Sequence, residues 1–258
     1  MQNNTIEPFA QSVRFKAIVL ILFFIPPYSQ LPYETIETTE VIGHIMSQPL
    51  ITNINFFLPI AKLLLLFAAA IIFVNPRRFT RLFLGYYSFI LIIVGVFQNM
   101  SFTEEYGFVW LIGNTIIILI AATACMYDVI KQKTVFNRDS FEIKRLWVLA
   151  PMLLAILMPY AVNEQNIAVP SFELSMLMNE AGVTYYMITP VIIGVMLLFS
   201  KDMHIPTLSI VSFTGLVIGI MNILTWCGFQ TPNWWMGVLH LPLVILSFYG
   251  LILCRIRQ

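Results

Sequence analysis

Charge is scarce in this sequence: Asp, Glu, Lys and Arg together make up 10% of its 258 residues, against about a quarter in an ordinary soluble domain. That scarcity excludes a surface solvated by water in the usual way, and the near balance of 14 basic against 13 acidic residues leaves no strong field to attract nucleic acid. Cysteine is equally thin. Cys125, Cys227 and Cys254 fall on or beside different apolar runs with no C-x-x-C spacing, which excludes disulfide frameworks and zinc modules. The Walker A loop, H-E-x-x-H, G-x-S-x-G and the dinucleotide glycine fingerprint are all missing, and with them the commonest nucleotide, metalloprotease and hydrolase sites. Haem held between helices needs histidines in facing pairs, and among the predicted spans only one carries a histidine, His240. No cofactor is identifiable.

What is present is apolar: 59% of the residues are hydrophobic and the mean hydropathy is +0.85. A bilayer is therefore the expected solvent, and the lipid itself the first partner. Runs near spanning length occur at about 14–31, 55–74, 80–98, 108–128, 146–162, 183–200, 206–226 and 234–254, where about 20 apolar residues suffice to cross a hydrocarbon core as a helix. Runs such as Leu63-Leu64-Leu65-Leu66 show no polar and apolar alternation, which a membrane barrel would require. The first run follows Arg14 and Lys16 as a signal peptide does, yet it leads into Pro26-Pro27-Tyr28 without a small-x-small cleavage site, so it reads as a retained helix.

The sequence thus predicts an all-α polytopic integral membrane protein with eight transmembrane helices. With both termini cytoplasmic, every cluster of Lys and Arg except Lys62 falls on the inner side, while Glu34, Glu37, Glu40, Glu104, Glu105, Glu164, Glu173 and Glu180 fall outside, as the positive-inside rule requires. The expected location is the cell membrane. Two parallel four-helix repeats are predicted, residues 1–130 and 146–258, joined by a cytoplasmic linker at 131–145. The halves share an ordered set of features: Pro27-Tyr28 and Pro159-Tyr160, Phe56-Phe57 with Pro59 and Tyr185-Tyr186 with Pro190, Gly95 with Asn99 and Gly219 with Asn222, and Cys125 and Cys254 at the ends. Four helices per half relate such repeats by an axis along the membrane normal. Two outer segments, 31–54 and 163–182, carry amphipathic patterns expected to lie along the membrane surface. In the second, Pro170 and Ser171 read as a helix start.

The candidate site residues share a depth. Lys62, Asn114, Thr189 and His240 each lie on a run leading from outside to inside, beneath an aromatic rim that includes Trp110 and Trp235. An ionisable group in a span usually faces the interior and has a partner, although a lysine near a boundary also extends its stem to the headgroups. Each of the others has a plainer reading: Asn114 and Thr189 as hydrogen-bond groups between helices, His240 as a core histidine, the tryptophans as an interfacial belt. Glu37, Glu40 and His44 share a helix face at spacings of three and four, the weak candidates for a metal site, since an exposed face without a ligand from another segment is ordinarily just solvated.

Three functions follow, in this order. The first is a small-molecule transporter or membrane receptor with an outward-facing site between the repeats, where Lys62 would meet a carboxylate or phosphate; the acidic outer face keeps a cationic solute or proton-coupled uptake open. The second is a non-catalytic integral-membrane subunit of a larger complex, its partners being other membrane proteins that pack on small residues such as Ala61 and Ala121. The third and weakest is an integral-membrane enzyme using His240 with an outer carboxylate such as Glu104 or Glu180.

Overall fold

The computed structural model describes residue 9 and residues 11–53, 57–162, 168–173, 176, 179–228 and 231–257. Each of the eight apolar runs contains an α-helix: α1 Val13–Phe23, α3 Leu58–Val74, α4 Pro76–Phe97, α5 Ile112–Lys131, α6 Leu149–Leu157, α7 Tyr185–Leu198, α8 Ile205–Gly228 and α9 Leu241–Ile256, with α2 at Thr38–Ser47 in the first acidic segment. Four helical stretches among the described residues are long and apolar enough to cross a membrane: Pro76–Phe97, Ile112–Lys131, Ile205–Gly228 and Trp234–Ile256. Thr35–Asn53 and Leu58–Val74 make a fifth if they are one span bent by 87°.

The shorter helices have local causes. Ser12 accepts a hydrogen bond from the Phe15 amide at 3.1 Å to start α1, and Pro26-Pro27 follows soon after its end, where proline cannot continue a helix. Met158 takes a left-handed backbone, φ 45°, and Pro159 follows, so α6 stops after nine residues. Asn75 is the one residue between α3 and α4; its Oδ1 accepts from the Arg78 amide and Pro76 fills the first helical position, where no N–H is needed.

Two small antiparallel sheets depart from the purely helical expectation. Strands β1 Tyr28–Ser29, β2 Met100–Thr103 and β3 Gly107–Trp110 pair in the order β1-β3-β2, and β4 Tyr160–Val162 pairs with β5 Ala168–Pro170. Gly107, at φ +65°, follows the three-residue turn Glu104–Tyr106, a hairpin geometry that favours glycine at that position. Both outer segments also differ from surface-lying helices. Helix α2 buries Val41 and Ile45 against Tyr106, Val109 and Leu111, so its apolar face covers the hairpin rather than lipid. Pro170 ends a strand instead of opening a helix. Glu164, Leu174 and Leu177 of that segment lie outside the described residues, as do Asn55 and Phe56 at the start of the second predicted run.

Helix α7 is the core. Of its residues all but Tyr186 are buried, and a helix apolar on every side belongs inside a bundle. Around it the other helices turn apolar side chains outward: Leu63, Leu64 and Phe67 on α3, Leu82, Phe89 and Ile92 on α4, and Leu241, Ile245, Phe248 and Ile252 on α9. Such continuous apolar surface suits a hydrocarbon solvent and not water. Helices α8 and α9 approach closely where Gly215 and Gly250 face Ser247 and Ser212, the small-residue contact expected of helices in lipid.

One end of the bundle is basic and tied together. Arg138 donates to the Val74 carbonyl at 2.6 Å, Arg145 donates to the Leu197 carbonyl and the Ser200 hydroxyl, and Arg257 donates to the carbonyls of Ser200 and Lys201. These cations sit on helix C-terminal carbonyls, where charge and hydrogen bonding both favour them. Two of the aspartates here, Asp128 and Asp202, are held by neutral donors from the linker. Asp128, fully buried, accepts from the amide and hydroxyl of Thr134; Asp202 accepts from Asn137; and Lys201 pairs with Glu142 at 2.6 Å. That lysine hydrogen bond holds the Glu142 carboxyl below its ordinary range despite some opposing desolvation.

Candidate functional site

At the opposite, acidic end a narrow polar cavity of about 50 Å3 lies between the two halves of the chain, room for a few waters or one small polar group. The first half contributes Gln98, Asn99 and Asn114, and the second contributes Glu180, Tyr185, Tyr186 and Asn222. Helix ends place these groups. Gln98 caps α4, and its side-chain oxygen accepts from the Tyr185 amide at 2.8 Å, so the end of one half fixes the start of α7. Asn99 donates to the Gly95 carbonyl and its own carbonyl receives the Leu111 amide, pinning the base of the hairpin. Asn114 lies in the first turn of α5 and makes no side-chain hydrogen bond among the described residues. A larger, mostly apolar vestibule of about 600 Å3 adjoins the cavity. The two share Met46, Leu111, Asn114 and Asn222 as walls.

Glu180 is the carboxylate of this cavity. Its Oε1 accepts from the Tyr160 hydroxyl at 2.7 Å and, more loosely, from the Tyr186 hydroxyl at 3.5 Å. Burial pushes the Glu180 carboxyl above its ordinary range, and the two hydroxyls offset part of that rise.

The structure separates the residues that the sequence grouped by depth. Asn114 lines the cavity. Lys62, only 3% exposed, donates to the Met176 carbonyl at 2.6 Å and to Asn179 Oδ1 at 2.9 Å. The ammonium is thus enclosed by the second acidic segment and is not part of the described cavity lining. Asn179 in turn donates to the carbonyls of Leu157 and Met158, satisfying the exposed end of α6. Thr189 is buried one turn further into α7 and accepts from Tyr87. His240 stands behind the wall: its Nδ1 is 3.4 Å from Asn222 Nδ2 and its ring lies 4.5 Å from that of Tyr186. Trp110 donates to Thr115 at 2.8 Å, and Trp235 packs on Met158, Met187, Met236 and Leu239; neither lines the cavity.

Of the metal candidates, Glu37 reaches back to the Glu34 amide, while Glu40 and His44 are joined by Glu105 from the β2–β3 turn, with ligand atoms of all three within 4.8 Å of one another. The turn supplies the third group that spacing along α2 lacks. These side chains are largely exposed.

Sequence reasoning passed over Gln98 and Asn222 as site residues, and named Glu180 only beside Glu104 as an outer carboxylate for the enzyme reading, not as part of a solute site. A signal for Asn222 was available in the matched positions of Asn99 and Asn222 near the ends of α4 and α8, since both line the cavity. Glu180 had none, because in sequence it is one acid among several in a polar segment. No family model, curated protein or solved structure matches the chain.

Proposed function

We propose that the chain is a multi-pass protein of the cell membrane that receives a small polar solute in the cavity between its halves, as a transporter or receptor. The carrying observation is that amides from both halves and a carboxylate from the second meet around one space inside a largely apolar bundle. Polar groups inside such a bundle are costly unless bonded or used, and Asn114 has no side-chain partner among the described residues. The 600 Å3 vestibule gives an approach to that space from the acidic end. The finer reading has eight spans, both termini cytoplasmic and two parallel four-helix halves. Short helices such as α6 and α7 then cross the bilayer with help from the segments at their ends, and a solute site between the halves gives relative motion of the halves something to act on.

The test uses Asn114→Cys in a background where Cys125, Cys227 and Cys254 are replaced by Ala, reconstituted in lipid nanodiscs. A small neutral methanethiosulfonate reagent is expected to modify Cys at this position, and Asn222→Leu to slow that modification. Protection from the reagent equal to that of a cysteine introduced at fully buried Ile192 would show the space to be sealed, and the solute-site reading would fall.

A further inference from the structure

The charge inside a cavity decides which solutes can enter it. Among the described residues lining this one, Glu180 is the single carboxylate and none is Lys, Arg or His. One candidate for a counter-charge, Lys62, is committed to Met176 and Asn179, and no basic side chain lies within ion-pair distance of Glu180 among the described residues. His240 faces Asn222 and the ring of Tyr186. Both tyrosine hydroxyls go to Oε1, and Oε2 takes no bond from a described residue. The other described walls are uncharged: side-chain amides, the aromatic side chains of Tyr185, Tyr186 and Trp226, Thr184, and aliphatic side chains such as Leu111 and Ile118.

Resting on the solute-site reading above, we propose that the solute is a small organic cation, a protonated primary amine, held by Glu180 Oε2 with the amide oxygens of Asn114 and Asn222 accepting its other N–H bonds. The match is one of donors and acceptors. An ammonium group only donates, a carboxylate only accepts, and each Asn oxygen offers two lone pairs. Aromatic faces favour a cation and give an anion nothing. An anion would also have to approach a carboxylate in a setting of low dielectric, where like charges repel strongly. Burial raises the Glu180 carboxyl, so a proton competes with the amine for the same oxygen: entry of the cation releases the proton from Glu180, and no other bond changes. The titratable groups around Glu180 are Tyr160 and Tyr186, which donate to it, then His240 behind Tyr186 and Lys62 beyond Asn179.

The experiment is calorimetric titration of the full chain in nanodiscs with ethylammonium, with ethanol as its neutral isostere and with acetate as an anion, at several pH values. Ethylammonium is expected to bind best, more tightly as pH rises, with release of a proton below the Glu180 pKa. Glu180→Gln is expected to lower its affinity at least about tenfold, the scale of one charge-assisted bond, and to leave ethanol unchanged. Should that variant not fold, Tyr160→Phe decides. It keeps the carboxylate but removes a donor that favours the ionised form, so the pH midpoint of ethylammonium binding must move upward. Ethanol or acetate binding as well as ethylammonium, and weakened by Asn114→Leu, overturns the cation while leaving the solute site in place. Binding of none of the three overturns both.

Discussion

Lys62 and Glu180 show how a residue's meaning depends on what the chain brings to it. In sequence Lys62 is the single charge in a long apolar run and Glu180 is one of many acids; in space Lys62 is a fastener, bonded to carbonyl oxygens of the segment that covers it, and Glu180 is the charge in the cavity. Glu180 carries a prediction of its own. Its carboxyl titrates above the ordinary value of 4.5, so between that value and the folded-state pKa the folded chain holds a proton that the unfolded chain has released. Stability must then fall as pH rises through this window, with a slope of at most about 1.4 kcal/mol per pH unit. Comparing thermal unfolding of the wild type and Glu180→Gln across this range checks the sign: the variant should lose that downward contribution. A profile identical to the wild type's would mean that the carboxyl titrates normally and is not enclosed.

At the scale of elements, the second acidic segment is a strap laid on α3. A Cβ at Gly182 would collide with the backbone of Ala61 and Lys62, which cannot yield as a side chain can. Gly182→Ala is expected to destabilise the protein by about 1–3 kcal/mol, as overpacking does, and to lift the strap from Lys62. Amine-reactive labelling with peptide mass mapping reads the result. In the wild type Lys201, whose side chain is 62% exposed, should label and Lys62 should not; in the variant both should. Labelling of Lys62 in the wild type at the rate of Lys201 would contradict its enclosure. The strap also shows what was legible in the sequence. The helices were, because runs of Leu, Ile and Phe carry their own evidence and proline marks their ends. The two hairpins were not, because strands of two to four residues are too short to show a period of two, and β3 was absorbed into the front of an apolar run. The docking of α2 on the hairpin was legible only as an amphipathic face with an unnamed partner. The cavity was legible only in part: Asn114, which lines it, was one of four residues grouped by expected depth, but depth alone says nothing of direction around a helix, and Lys62, Thr189 and His240 face other neighbours.

For the whole molecule, the prediction concerns sidedness. If the eight runs each cross the bilayer, exposed Cys227 at the end of α8 and the basic linker at 131–145 lie on opposite sides. A membrane-impermeant maleimide applied to intact cells should therefore label Cys227, while a cysteine introduced by Asp139→Cys should label only after the membrane is opened. Labelling of both from outside, or of the linker alone, would reverse or break the eight-span topology. The same segregation accounts for the two kinds of polar chemistry at the ends. At the basic end Arg138, Arg145 and Arg257 sit on helix carbonyls and tie together α3, the linker, the α7–α8 turn and α9, while the acidic end leaves amides and a carboxylate around a space.

The length of α7 has an electrical consequence. Its 14 residues rise about 21 Å, well short of a hydrocarbon core of about 30 Å, and because other helices surround it, water admitted to the cavity at its start would reach into the bundle through protein and not through lipid. In a membrane, potential falls where water is absent. The voltage would therefore be concentrated across the dry stretch between Glu180 and the basic end, giving a steeper field than the bilayer alone. A univalent cation moving from Glu180 to that end would exchange close to the full 2.3 kcal/mol or so per 100 mV, so the direction of any flux through this protein would be set as much by membrane potential as by concentration.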